Sequence, residues 1–210
     1  MQRTSRAVTL LELLVAIILL SIVVLALSNI QIFSRYHVIT ADRRAKLQNE
    51  VSFALEHMSK HIGQVIGHVN APAVKTYNDN RGIRFRVDTN NNAMVDDTDR
   101  WEAYYQPAVS NEIRFYDNVG NVDTLPPVNG GEVIATHVLS DGNGLIFQKF
   151  QVVSPNTVAT TVAIGANAFL NDNILDVKIT SRWDPKKDAS QDNAEVSMDA
   201  KINMSSVSTH

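Results

Sequence analysis

The chain has 210 residues, a formal net charge of -3, 44% hydrophobic residues and no cysteine. That length allows one domain of ordinary size, the weakly acidic balance carries no general nucleic-acid footprint, and the missing thiols exclude disulfide staples and thiolate metal sites. Much of the apolar content falls in the first 33 positions, so the remainder is comparatively polar.

Residues 8–28, VTLLELLVAIILLSIVVLALS, form an apolar run long enough to span a bilayer, with a single carboxylate, Glu12. Arg3 and Arg6 precede it and hold the N-terminus in the cytoplasm, which puts the rest of the chain outside. A carboxylate in lipid is costly unless a cation meets it. The amine created by cutting the chain just before Val8 is the strong candidate.

Arg3 and Arg6 followed by Ala7-Val8-Thr9-Leu10-Leu11-Glu12-Leu13-Leu14 resembles the class III signal of type IV pilins and type II secretion pseudopilins. The resemblance implies that a prepilin peptidase cuts between Ala7 and Val8 and that Val8, the new N-terminus, is methylated. It also implies that Glu12, at the fifth mature position, neutralises the amine of a neighbouring subunit during filament assembly. Ala7 and Val8 stand where the family usually has glycine and phenylalanine. A conventional secretory peptide is cut after its apolar region, whereas this arrangement keeps the helix. The competing reading is an ordinary signal anchor with Glu12 at the headgroup interface. The string TLLELL directly behind a basic leader favours the pilin-like one. Partners implied are other pilin or pseudopilin subunits, the peptidase, the inner-membrane assembly platform and membrane lipid. Loss of residues 1–7 removes two arginines and no acid, taking the side-chain charge from -3 to -5.

No proline occurs from Leu10 to Gly67, and near Arg35 the apolar pattern changes from continuous to periodic. Val51, Leu55, Met58, Ile62, Val65 and Ile66 recur at the spacing of one helical stripe, with Arg43, Arg44, Lys46, Glu50 and Lys60 off it. One long helix is expected, its second half lying on a globular head, with stop signals at Gly63, Gly67, Asn70 and Pro72. The segment LQNEVSFALEHMSKHIGQV is also similar to the corresponding stretch of large minor pilins and J-type pseudopilins. The expected division is a leader at 1–7, a transmembrane and assembly helix at 8–34, its amphipathic continuation at 35–70 and a β-rich head at 71–210.

Beyond Pro72 the period becomes two. Ile83, Phe85 and Val87 alternate with Arg84 and Arg86, Ile113 and Phe115 flank Arg114, and Leu175, Val177 and Ile179 alternate with Asp176 and Lys178. Val196, Met198, Ala200, Ile202 and Met204 make the clearest set. These are half-buried strands, joined by the turn-rich loops PPVNGG, SDGNG and DPKKDASQDN. The fold expected is α+β, a helix packed on an antiparallel sheet.

The loop DTNNNAMVDDTD, residues 88–99, places oxygen-bearing side chains at the ligand positions of an EF-hand-type calcium loop: Asp88, Asn90, Asn92, Asp96 and Asp99, with the Met94 carbonyl between. Ala93 holds the sixth place, where the turn needs glycine, and Asp99 reaches less far than glutamate. A solvated Asn/Asp hairpin tip without an ion is the equal alternative.

His57 and His61 are four apart, with His68 on the same side. A metal-binding histidine face is one reading, but HMSKH lacks the glutamate of the HExxH zinc hydrolases. The favoured reading sets them on the border between helix and head or facing a neighbour. Asp141 with Gly142, Asn143 and Gly144 reads as a turn. No nucleophile elbow, phosphate-cradling loop or acid pair is present, so no enzyme activity is expected. Trp101, Tyr104, Tyr105, Phe147, Phe150 and Trp183 read mostly as core aromatics.

The function expected is that of a minor pilin of a type IV pilus. The alternatives are a J-type pseudopilin at the tip of a secretion pseudopilus and a membrane-tethered, calcium-dependent binding protein that does not polymerise.

Overall fold

The structure, a computed structural model, describes residues 9–68, 71–77, 79, 81–90, 92, 94–120, 124–140, 142–151, 160–163, 169–170, 174–204 and 206–207. Arg3, Arg6, Ala7, Val8, Asn70, Ala93 and Asp141 lie outside them. Helix α1 runs Leu10–Ile62, and the internal contacts divide the chain between Asp42 and Arg43.

In the first unit the apolar side chains of α1, from Leu10 to Ile39, are exposed. It is the single helix among the described residues long and apolar enough to cross a membrane. Ser21 and Ser28 donate their hydroxyls to the carbonyls of Ile17 and Val24 at 2.8 and 2.9 Å, so neither brings an unmet donor to that surface.

In the second unit, Leu47, Val51, Ala54, Leu55, Met58 and Ile62 of α1 are buried, the i, i+3/i+4 stripe that the period predicted. The helix stops sooner than the expected boundary at residue 70. Gly63 N–H still bonds to the Ser59 carbonyl, then Gln64 and Val65 donate to His61 and Ile62, a tightening of the last turn. Val65 and Ile66 are buried, yet not as helix. Val65 bridges Val87, and Ile66 begins β1 (Ile66–Gly67), which pairs in parallel with β12 (Ser206–Val207).

Two antiparallel sheets complete the head. One is ordered β6-β5-β4-β3-β2-β9, from β2 (Val74–Thr76), β3 (Gly82–Val87), β4 (Arg100–Tyr105), β5 (Ile113–Val119), β6 (Glu132–Ala135) and β9 (Phe169–Leu170). The other is ordered β11-β10-β7-β8, from β7 (Leu145–Gln151), β8 (Thr160–Ala163), β10 (Ile174–Arg182) and β11 (Glu195–Asn203). From Val51 onward the helix stripe shares one apolar cluster with Ile83, Phe85, Tyr104 and Phe115 of the first sheet and Phe147, Leu175, Val177, Ile179 and Ile202 of the second. This is the α+β plan expected, a long helix packed on antiparallel sheet.

One expectation needs correction. Strand β3 is not half-exposed, because Arg84 on its second face is only 3% exposed. Tyr77, Ala103, Tyr105 and Tyr116 form a second cluster on this sheet. The arginines are accommodated by aromatic faces: Arg84 stands 5.6 Å from the Tyr77 ring, and Arg86 and Lys75 stand 5.0 and 5.1 Å from that of Trp101.

Candidate functional site

The N-terminus of α1 holds the first candidate. Glu12 N–H donates to Thr9 Oγ1 at 3.3 Å, while Thr9 N–H reaches back to Glu12 Oε2 at 3.5 Å. This is a capping box, two orphan donors of the first turn met reciprocally. Its sequence signal is Thr9-x-x-Glu12 ahead of an apolar run. Its consequence is chemical. Glu12 is the one charged side chain between Leu10 and Phe33, and among the described residues a single N–H at the long end of hydrogen-bond range holds its carboxylate. Most of the carboxylate's capacity for a cation is therefore unused.

The loop from Asp88 to Asp99 closes on itself. Asp96 accepts from Asn90 Nδ2 at 3.0 Å and Asn92 Nδ2 at 2.8 Å through one oxygen, and from Thr98 N–H and Oγ1 at 2.8 and 2.6 Å through the other. These bonds, the Thr98 hydroxyl foremost, hold the Asp96 carboxyl well below the usual carboxylate range. The Asn90 and Asn92 carbonyl oxygens accept from the backbone of Asn92 and Met94 at 3.1 and 2.7 Å, the Asx-turn geometry of a polar tip. Among the described residues no three acidic or histidine side chains gather as a metal-binding group. Asp99 differs from the rest. One oxygen accepts from Asp96 N–H at 2.8 Å, the other is shielded from solvent without a partner among the described residues, and burial, with the charges of Asp96 and Asp88 adding to it, raises its pKa.

The helix histidines sit on the border with the first sheet, as one of the two readings had it. His57 Nδ1 lies 2.9 Å from the Tyr104 hydroxyl, and His61 Nδ1 lies 3.0 Å from Oε2 of Glu102, which is 2% exposed. Arg100 holds the other Glu102 oxygen at 2.6 Å. Phe115 packs against both imidazoles. Burial, then the neighbouring His61, lowers the His57 pKa.

A second polar seam ties the helix to the head nearer its start. Glu50 accepts from Thr136 N–H and, at 2.7 Å, from Thr136 Oγ1, and its other oxygen lies 3.3 Å from His137 Nδ1. His137 takes a left-handed backbone, φ 55°, and stacks on Trp183 at 5.3 Å, while Arg43 approaches the same indole at 5.4 Å. Nothing in the sequence pattern pointed to this group.

Residues 2–28 match the family model described as the prokaryotic N-terminal methylation motif. The N-terminal segment carries that methylation motif. It opens a chain with one long apolar helix and an antiparallel head. The motif and the apolar helix together fit anchoring in a membrane. No curated protein matches the chain. Among solved structures, a type IV-like pilin from Thermus thermophilus aligns at 9% identity and TM-score 0.47 over 77% of this chain and 98% of its own.

Proposed function

We propose that the chain is a structural subunit, a minor pilin of a type IV pilus. It enters the inner membrane by the first half of α1 with its N-terminus cytoplasmic and its head outside. It is cut between Ala7 and Val8, methylated at Val8, and packed into a filament by that same helix. The observation that carries the reading is the state of Glu12, the one charged side chain in the exposed stretch of α1 from Leu10 to Phe33, held among the described residues by one long N–H contact. Buried in lipid or among helices, that group favours a cationic partner. A neighbouring subunit's N-terminal amine has the right charge and, after cleavage, the right position. The role is structural rather than catalytic. The test is to compare filament-associated with membrane-retained protein for the natural chain and Glu12→Ala, where the variant is expected to insert and fold yet be depleted from filaments.

A J-type pseudopilin would share the helix and head plan. Genes for a secretin and a secretion ATPase beside this one, instead of other pilins, would move the assignment there.

We also propose that the loop from Asp88 to Asp99 takes a calcium ion, and Asp99 supports the reading. An oxygen shielded from water without a donor, in a loop with Asp88 and Asp96, is relieved by a divalent cation. Binding requires Asn90 and Asn92 to turn their carbonyl oxygens inward, giving up the Asx-turn bonds. Affinity then lies near the weak end of the calcium range, roughly 10⁻⁴ to 10⁻³ M.

A further inference from the structure

The histidine pair at the seam of helix and sheet carries chemistry that neither insertion nor assembly uses. His57 and His61 are one turn apart on α1, and their rings stack with centroids 4.5 Å apart and planes 20° apart. Each Nδ1 is engaged from the sheet side. Glu102, gripped by Arg100 as well, is an acceptor, so His61 Nδ1 carries the proton and Nε2 the lone pair. Tyr104 donates its O–H to the His57 carbonyl at 3.2 Å, so it accepts from His57 Nδ1–H and selects the same tautomer. Among the described residues neither Nε2 has a hydrogen-bond partner.

We propose that His57 and His61 form a two-imidazole chelate for a divalent transition metal of the Cu²⁺, Ni²⁺ and Zn²⁺ group. Neutral imidazole nitrogen is the ligand these ions favour. A carboxylate on the far Nδ1–H is the arrangement that fixes a ligand histidine's tautomer and raises the basicity of its other nitrogen. Metal–nitrogen bonds of about 2.0–2.1 Å require the two Nε2 atoms to stand roughly 3 Å apart with their lone pairs converging, so the rings open from their stack as the ion enters. Water completes the shell.

The test uses the full, untagged chain in detergent and the metal ions alone. Calorimetry with Ni²⁺ and Zn²⁺ is expected to give saturable binding of one ion per chain, with Cu²⁺ tighter than either. His57→Gln and His61→Gln should each weaken binding on the order of tenfold or more, and copper resonance spectra should lose one coordinated nitrogen in each. Should a variant fail to fold, ¹⁵N-histidine spectra of the unaltered chain decide: zinc should move the Nε2 signals of His57 and His61. Absence of saturable binding, affinities of folded variants within about twofold of the unaltered chain, or zinc shifts confined to other histidines would each overturn the proposal.

Discussion

His61 Nδ1 of the helix and Glu102 Oε2 of β4 lie 3.0 Å apart at a carboxylate that is 2% exposed. A charge so placed is tolerated only because His61 and Arg100 both bond it. Its replacement by alanine leaves the histidine donor facing the sheet without an acceptor and frees the arginine. We expect Glu102→Ala to cost about 2–3 kcal/mol, in line with lost hydrogen bonds to a charged group, and Glu102→Gln distinctly less. Thermal melting of the two variants checks the order. Equal losses would mean that the carboxylate's charge contributes nothing.

Acid should loosen the same seam. The folded pKa of His57 is lowered from its ordinary 6.5, so the unfolded chain binds the proton more readily and stability falls as pH drops through that value. The groups that face His57 are His61, Lys60, Glu132, Glu102 and the Tyr104 hydroxyl. Melting followed from about pH 7.5 to 5.5, a range that brackets histidine titration, should show a decline that His57→Gln makes shallower. An unchanged slope in that variant would assign the acid sensitivity elsewhere.

Along the helix the core and surface should separate cleanly. Met58 is fully buried in the main cluster, and Met58→Ala should cost about 2–5 kcal/mol. Phe53, on the same helix, is 55% exposed, and Phe53→Ala should leave stability within about 0.5 kcal/mol. Denaturant midpoints measured side by side test the assignment of faces.

What could be read in advance follows from how local each feature is. The apolar run, the stripe from Val51 to Ile62 and the alternation from Val196 to Met204 are repeats of a single element's period, and they appear where their periods put them. The Thr9–Glu12 capping box is equally local and was legible. Val65 and Ile66 kept the helical spacing by coincidence, since Gly63 ended the helix before them. The burial of Arg84 and Glu102 depends on which ring or imidazole a distant strand or helix brings alongside, and no spacing within β3 or β4 encodes that. The seam of Arg43, Glu50, His137 and Trp183 joins residues from three separate stretches, so it became visible only with the fold.

Calcium should raise the melting temperature of the full chain, with chelator as reference and Asp99→Asn as the insensitive control. Ligand that binds only the folded state stabilises it by about 2.7 kcal/mol at a hundred times the dissociation constant. A melting temperature indifferent to millimolar calcium would leave residues 88–99 as a self-bonded hairpin tip.

The processing of the N-terminus tests the central claim most directly. Intact-mass measurement and N-terminal sequencing of protein extracted from membranes of its native cells should give a chain that begins at Val8, carries a methyl group there, and lacks residues 1–7. A species that begins at Met1, in cells that process their other pilins, would contradict the account.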